Sequence, residues 1–207
     1  MKPLFGAVYR VHTKKKRIAL TFDIGWGRKV PTLVLDALSA NGVNKATFFL
    51  SSPWVLKHLH LAQKIKTMGY EIGSHGQLHE NYTEHSNIWI TREVKSASSA
   101  ISRVTGVKCR LIRTPNGDIN HRVTKLLGSL GYYTIHWSVD SRDWTNPGVR
   151  TIIRNSTLNV NPGDILLLHA SDSARQTAKV LPSIIRKLRR KGFDFVTVSE
   201  LLSIKAR

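Results

Sequence analysis

Short runs of β-branched and aromatic residues alternate along the chain with longer stretches whose apolar residues recur at helical spacing. The short runs predict strands at residues 17–23, 45–51, 70–75, 109–113, 132–139, 164–169 and 193–199. The helical patterns cover residues 30–41, 54–68, 87–105, 120–130, 148–158, 177–191 and 199–204. This βα rhythm of about seven units predicts an α/β fold with a parallel sheet, either closed into a barrel or open and doubly wound.

Polar side chains stand at the ends of several predicted strands. They are Asp23, His75, Arg113, Asp140 and His169. The carboxyl ends of parallel strands meet at one rim of a sheet or barrel, and active sites are built there. We therefore expect these side chains to lie together and to form the active site.

Two histidines four residues apart, His75 and His79, follow one predicted strand in the sequence SHGQLH. On a turn of that spacing both imidazoles can face one metal ion. The spacing alone is weak evidence, because two unconnected histidines produce it as well. The position at a strand end favours the metal-binding interpretation.

Three further residues have both a chemical and an ordinary interpretation. Arg113 opens the loop RTPNG and can hold a carboxylate with a forked pair of hydrogen bonds, or it is a surface arginine in a turn. Asp140 begins DSRDW, and His169 ends the apolar run LLLH. Either can be structural, but a carboxylate beside a histidine orients the ring and raises its pKa. We therefore predict Asp140 as the partner of His169.

The ordered set TFD(I)G, SHxxxH, RxPxG, DSxDW and LLLH resembles the five motifs of the polysaccharide deacetylases. These are the NodB-homology enzymes of carbohydrate esterase family 4, and the resemblance covers residues 17–202. Longer segments such as KATFFLSSPW and FVTVSELL are similar to the sporulation-associated PdaB-type subgroup. The resemblance implies a distorted (β/α) barrel of about seven units. It also implies removal of N-acetyl groups from a cell-wall or chitin-like polymer with zinc, or with cobalt, nickel or manganese.

The resemblance also implies a role for each matching residue. The roles are a catalytic base (Asp23), an arginine that holds it (Arg113), two metal ligands (His75, His79), a general acid (His169) and an acid that tunes this histidine (Asp140). The backbone N–H of Asn116 matches a donor to the oxyanion. The tryptophans at positions 26, 54, 137 and 144 are candidates to line a sugar groove. Core packing is the competing interpretation of these rings, and the better one for Trp137, which lies inside a predicted strand.

The chain departs from the wider family at Ile24, where the resemblance implies a metal-binding aspartate. Isoleucine cannot coordinate a metal, and catalytic zinc normally keeps three protein ligands. We expect weaker metal binding, by on the order of 10–100-fold or more. Three outcomes stay open: Asp23, Glu80, Asp118 or a water fills the place; the metal binds weakly and the enzyme is slow; or the protein only binds glycan.

The charge of the chain is strongly positive. There are 32 lysines and arginines against 13 aspartates and glutamates, a formal net charge of +19. Such a balance favours polyanions, among them nucleic acid, anionic lipid and acidic cell-wall polymer. The sequence has no zinc finger or RNA-recognition motif, so we expect an anionic wall polymer rather than a specific nucleic acid. The basic run at 186–191 is interpreted as a solvated helix face.

The sequence also suggests how the chain is organised and where it acts. We predict a basic N-terminal arm at residues 1–16 and the deacetylase domain at 17–207. The arm has no apolar run long enough for a signal peptide or a membrane helix. Two alternatives follow: the protein stays inside the cell, or the chain begins after a removed leader. Because the family works outside the cytoplasm, we expect the cell wall or spore envelope as the location. The single cysteine, Cys109, excludes an internal disulfide framework.

Overall fold

The computed structural model describes residues 5–203. Its strands are β1 (Ala7–Val8), β2 (Arg17–Ile24), β3 (Thr47–Leu50), β4 (Glu71–Ser74), β5 (Leu111–Ile112), β6 (Tyr133–Ile135), β7 (Val139–Asp140), β8 (Ile165–His169) and β9 (Asp194–Val196). Its α-helices are α1 (Lys29–Ala40), α2 (Ser52–Lys57), α3 (Leu59–Thr67), α4 (Asn87–Thr105), α5 (His121–Ser129), α6 (Val149–Thr157), α7 (Thr177–Arg190) and α8 (Val198–Leu201). Short 3-10 turns lie at Tyr82–Glu84, Pro115–Gly117 and Asp143–Thr145.

The strands form one sheet in the order β1-β6-β5-β4-β3-β2-β8-β7, with β9 paired to the first half of β2. All pairs between these strands are parallel, so their carboxyl ends lie at one rim. The sheet curves as a half-barrel with helices outside it, which confirms the predicted distorted barrel. The register places Asp23 of β2 directly beside His169 of β8 and Phe49 of β3.

The alternation of side chains along β2 separates the core from the site. Ile18, Leu20, Phe22 and Ile24 are fully buried in the large cluster that β2 shares with α1 and α7. The residues between them point to the other face of the strand, and there Asp23 reaches the rim. Burying each of these large side chains stabilises the fold by about 1.5–3 kcal/mol. The core packing of β2 thus fixes the position of Asp23 at the rim.

Two predicted elements are interrupted in the structure. The predicted strand 132–139 is divided into β6 and β7, because β6 pairs with β5 while β7 pairs with β8, on the far side of β2. Residues 136–138 therefore cross from one part of the rim to the other. The predicted helix 54–68 is divided into α2 and α3 at His58, whose backbone (φ −129°, ψ 53°) is not helical.

The predicted N-terminal arm is part of the domain over its described residues, so the boundary at residue 17 is wrong there. Strand β1 pairs with β6, and Val8 O accepts a hydrogen bond from His136 N at 2.8 Å. Val11 N donates to Gly163 O at 2.8 Å. The unpaired edge of β6 and the turn before β8 need backbone partners, and this segment supplies them. Residues 1–4 of the predicted arm lie outside the described residues.

The basic run at 186–191 is not only a solvated face. Arg189 donates to the carbonyls of Asn41 and Gly42 beyond the end of α1, at 2.6 and 2.9 Å. Lys191 Nζ donates to the carbonyls of Thr157 and Leu158 at the end of α6. Carbonyls at helix ends have no partner inside their helix, so these two cations cap neighbouring helices.

No helix within residues 5–203 combines the length and the apolar character needed to cross a membrane.

The contact between the N-terminal segment and Gly163 can be tested with a matched pair of glycines. Gly163 and Gly131 both have positive φ, at 85° and 89°. An added Cβ would lie 1.7 Å from Val11 O at Gly163 and would meet nothing within 4 Å at Gly131. We expect Gly131→Ala to cost about 1–2 kcal/mol of unfolding free energy. We expect Gly163→Ala to cost at least about 2 kcal/mol more, because the contact must open. Urea denaturation measures both, and equal losses would contradict the packing of this segment.

Candidate active site

A cavity of about 650 Å³ opens at the rim where the strands end. The predicted site residues that line it are Asp23, Trp26, His75, His79, Asn116, Asp140, Trp144 and His169. Arg113 lies beneath it and is fully buried. The cavity is also lined by residues that the sequence did not single out for the site, among them Ser51, Gln77 and Ser171. The tertiary structure therefore brings together the strand ends that the sequence pointed to.

Arg113 holds Asp23 from below, as predicted, but with one arm of its fork. Its Nη1 donates to Asp23 Oδ1 at 2.8 Å and to Thr21 Oγ1 at 2.9 Å. Its Nη2 donates to His136 O at 2.9 Å, and its Nε donates to Ile135 O at 3.3 Å. The guanidinium is shared between the carboxylate and backbone carbonyls, which fixes Asp23 and leaves its second oxygen toward the cavity.

The environment of Asp23 keeps the carboxylate ionised. Burial by itself raises the pKa of Asp23, but the charge of Arg113, with smaller effects of His75 and His169, outweighs it and holds the pKa below its usual range. A carboxylate that is ionised at neutral pH can accept a proton from water.

His75 is oriented as a metal-binding histidine would be. Its Nδ1 lies 2.9 Å from Arg113 O, and because a carbonyl only accepts, this nitrogen carries the proton. Its Nε2 lies 3.9 Å from Asp23 Oδ2 and keeps its lone pair. Burial lowers the pKa of His75, so the ring is neutral at neutral pH. The ring of His79 follows with its centroid 5.5 Å away. A backbone acceptor behind the ring is typical of metal-ligating histidines.

A three-ligand zinc site does not fit the side chains that are present. Within residues 5–203, no group of three or more histidine, cysteine, aspartate or glutamate side chains is arranged to hold a metal ion. The chain offers two imidazoles, with Asp23 beside them.

Two of the groups predicted as alternatives to the aspartate that the resemblance implies at position 24 have other partners. Glu80 Oε2 lies 2.6 Å from His85 Nε2. Asp118 accepts hydrogen bonds from both N and Oγ1 of Thr83, at 2.7 and 2.9 Å. Ile24 packs in the core and does not line the cavity. Glu80 and Asp118 therefore have other partners, and neither lines the cavity. A metal-binding role for either stays a prediction.

The partner of His169 is Asp143, and the prediction of Asp140 is wrong. Asp143 Oδ1 lies 2.7 Å from His169 Nδ1, and Oδ2 accepts from His169 N at 2.8 Å and from Thr177 Oγ1 at 2.6 Å. The register of β7 and β8 sets Asp140 opposite Leu167, two residues before the histidine. The turn at Asp143–Thr145 then brings the second acid of DSRDW back beneath the ring. The sequence DSRDW contains both acids, and only this register shows which of them contacts His169.

Asp140 has a different contact. Its Oδ1 accepts a hydrogen bond from Arg142 N at 2.8 Å, and its side chain borders the cavity without contacting the imidazole.

The contacts of His169 raise its pKa. Burial by itself lowers the pKa of the ring, but the hydrogen bond and charge of Asp143, helped by the charge of Asp23, outweigh burial. Since Nδ1 is bonded to Asp143, Nε2 is the nitrogen left to hold a proton for transfer in the cavity. Asp23 and His169, adjacent in the sheet register, thus have pKa values displaced in opposite directions.

A buried carboxylate that the sequence analysis missed, Glu93 on α4, holds the turn that carries His79. Its Oε1 accepts from Gln77 N at 2.5 Å and from Leu78 N at 2.8 Å, and Tyr82 OH donates to Oε2. A signal was present, because Glu93 occupies an inward position of the helical pattern of α4. A charged residue there needs buried partners.

The aromatic predictions are partly corrected. Trp26 and Trp144 line the cavity and are 58% and 52% exposed, so their faces are available to a ligand. Trp54 is a core residue whose Nε1 donates to Gly27 O at 2.6 Å, and the groove interpretation is wrong for it. Trp137 stacks on His136 and also lines the cavity.

Asn116 lies on the cavity wall with a left-handed backbone, at φ 57°. Its Nδ2 donates to Asn81 Oδ1 at 2.9 Å, which ties the loop after β5 to the loop after β4. Its backbone N–H as an oxyanion donor stays a prediction.

Comparison with known proteins identifies the family of the chain. Residues 10–135 match the family described as polysaccharide deacetylase. A Bacillus cereus protein named peptidoglycan-N-acetylglucosamine deacetylase is 34% identical over 99% of this chain and 97% of its own length. The crystal structure of PdaA from Bacillus subtilis, a family 4 carbohydrate esterase, aligns with a TM-score of 0.88 and 30% identity, over 98% of this chain and 87% of that one.

A further similar structure is described as a pseudoenzyme of carbohydrate esterase family 4 from Bacillus anthracis. It aligns with a TM-score of 0.90 and 30% identity, covering 100% of this chain and 72% of that one. The chain belongs to the polysaccharide deacetylase family. The predicted family is thereby confirmed, and the PdaB-type subgroup stays a prediction.

The assignment of Asp143 can be tested by titrating His169. We expect NMR of the imidazole to give a pKa above the ordinary value of 6.5, and Asp143→Asn to lower it, because the ring loses its ion pair. Asp140→Asn is the matched control and should leave the titration unchanged. A raised folded-state pKa contributes stability that is fully present below about pH 6.5 and is lost as the pH rises through the folded pKa. A larger shift from Asp140→Asn would contradict the assignment.

Proposed function

We propose that the chain is an N-deacetylase of a peptidoglycan-like glycan. The observation that carries this proposal is the pair of opposed titrating groups at one cavity, Asp23 held by Arg113 and His169 held by Asp143. Hydrolysis of an acetamide needs a base for the attacking water and an acid for the departing nitrogen. A protein that only bound sugars would have no chemical need for this arrangement.

Each residue has a defined task in this proposal. Asp23 accepts a proton from the attacking water at Oδ2, the oxygen not held by Arg113. His169 donates a proton from Nε2 to the leaving amine while Asp143 keeps the ring in orientation. The backbone N–H of Asn116 faces the developing oxyanion, a contact that is strongest in the transition state. Trp26 and Trp144 offer flat apolar faces on which sugar rings stack.

The family is generally dependent on a divalent metal. A bound cation acidifies water and polarises the acetamide carbonyl. We propose that zinc, or alternatively cobalt, nickel or manganese, binds weakly at His75 and His79. Two imidazoles fall short of the three protein ligands that catalytic zinc normally keeps, so the affinity is expected to be low.

The proposed place of action is outside the cytoplasm, at the cell wall or the spore envelope. Relatives are named for peptidoglycan, among them the peptidoglycan-N-acetylmuramic acid deacetylase PdaA of B. subtilis, which is 31% identical. The net charge of +19 would hold this chain against an anionic wall polymer. Binding of that kind weakens steeply with salt and has no sequence preference among nucleic acids.

A second candidate function is glycan binding without turnover. The specific observation that favours it is the incomplete set of metal ligands. The similar structure from Bacillus anthracis is described as a pseudoenzyme, and a mutant of it is described as having restored enzymatic activity. In this alternative the cavity and its tryptophans hold the sugar, and the paired charges only stabilise the rim.

Acetate release separates the two candidates. Metal-stripped protein would be given N-acetylated chitooligosaccharides or peptidoglycan, with zinc, cobalt, nickel or manganese added back. We expect metal-restored release of acetate that Asp23→Asn lowers by about 10²–10⁴-fold, since the base is lost. Asp36→Asn is the matched control, because Asp36 is an exposed aspartate paired with Lys64 and should leave the rate unchanged.

The opposite result has a clear meaning. If no metal restores acetate release, while glycan binding survives both a chelator and Asp23→Asn, the enzyme proposal is wrong and the binding function holds.

A further inference from the structure

A second cavity, of about 590 Å³, adjoins the first on the side of α6. The two cavities share Asp140, so the segment after β7 forms a wall between them. Trp144 of that segment faces the first cavity, and Arg142 faces the second. A glycan whose acetylated sugar lies in the first cavity therefore has a neighbouring group within reach of the second.

The second cavity carries two arginines, Arg142 and Arg154. Within residues 5–203, neither guanidinium has a hydrogen bond or ion pair with another side chain or carbonyl. The remaining lining is mostly neutral and polar, with one carboxylate, Asp140, which accepts from Arg142 N. The cavity therefore combines two free cations with one acid that is already engaged.

The backbone around these arginines is fixed. Arg142 has a left-handed backbone at φ 57°, and its carbonyl accepts from Thr145 Oγ1 at 2.9 Å. Asn155 Nδ2 donates to Ser141 O at 3.1 Å and ties α6 to the same segment. The loop with Arg142 and the helix with Arg154 are thus held against each other, which keeps both cations at one cavity.

We propose that this second cavity is a subsite for an oxyanion group of the wall glycan, a carboxylate or a phosphate, next to the sugar that enters the first cavity. Guanidinium groups bind both oxyanions through paired hydrogen bonds. The subsite rests on the proposed function for its substrate, but it concerns binding and requires no catalysis. It gives the chain a preference for glycans with acidic substituents over neutral chitin-like chains.

Binding, measured by calorimetry with a chelator present, tests the subsite without turnover. The probes are a tetrasaccharide of alternating N-acetylglucosamine and N-acetylmuramic acid, and the same molecule with its lactyl carboxylates converted to amides. The two differ in charge and hardly in shape. We expect the acidic form to bind about 10-fold more tightly. The double variant Arg142→Gln/Arg154→Gln should remove that difference and leave binding of the amide form unchanged.

A matched control separates a built subsite from the general positive charge. Arg92→Gln/Arg190→Gln removes the same two charges from exposed positions on α4 and α7, and it should preserve the preference. A glycerol phosphate oligomer forms a second arm. If its binding depends on Arg142 and Arg154 while the two tetrasaccharides bind alike, phosphate is the group recognised.

Two results would overturn the subsite. One is equal loss of acidic-probe binding in the double variant and in its control, which means plain surface electrostatics. The other is equal binding of the acidic and the amidated glycan, together with binding of the glycerol phosphate oligomer that does not change in the double variant. Thermal denaturation of each variant confirms that it is folded. Failure of acetate release would count against the proposed function and would leave these binding results intact.

Discussion

The buried contact between Arg113 and Asp23 is the constraint on which the site depends. Arg113 is fully buried, so each of its donors needs a partner, and the partners come from β2 and from the end of β6. Its guanidinium also lies 4.3 Å from the ring centroid of Phe49 on β3. One side chain on the loop after β5 therefore ties neighbouring strands together while it fixes the carboxylate. Removing one partner of such a pair costs about 3–5 kcal/mol, because it leaves a buried charge alone.

The second pair, His169 with Asp143, has the opposite electrostatic result. Arg113 makes Asp23 a weaker base that stays ionised, and Asp143 makes His169 a ring that stays protonated to higher pH. Asp23 and His169, which are paired in the sheet register, thus hold opposite charges over the same pH range. Pairs of groups whose pKa values are displaced in opposite directions are suited to act as base and acid. Ile24 affects neither pair, since it packs on the other face of β2.

The positive surface follows in part from how the few acids are used. Much of the acidic complement is committed to holding loops and strands together: Asp23, Glu71, Glu93, Asp118, Asp143, Asp164 and Asp172. Asp172, for example, accepts from the N–H groups of Arg28 and Val30 and fixes the start of α1. Within residues 5–203, carboxylates pair with Arg10, Lys45, Lys64 and Arg113, and most other lysines and arginines have no carboxylate partner.

The sequence by itself determined the fold class, the family and most of the site. The alternation of β-branched runs with helical patterns set the βα order, and the polar residue after each run marked the rim, because carboxyl ends of parallel strands always meet there. Asp23, His75, Arg113 and His169 could be named in this way since each stands directly at a strand end.

The tertiary structure decided what depends on register and on distant partners. Asp143 rather than Asp140 contacts His169, because the pairing of β7 with β8 sets Asp140 opposite Leu167, two residues before the histidine. No local sequence pattern predicts that register. Likewise, Glu93 supports the turn of His79 from a helix later in the chain, and the N-terminal segment joins the sheet by pairing with a strand far along the chain. Contacts between residues far apart in sequence leave no periodic signal, so only the folded structure shows them.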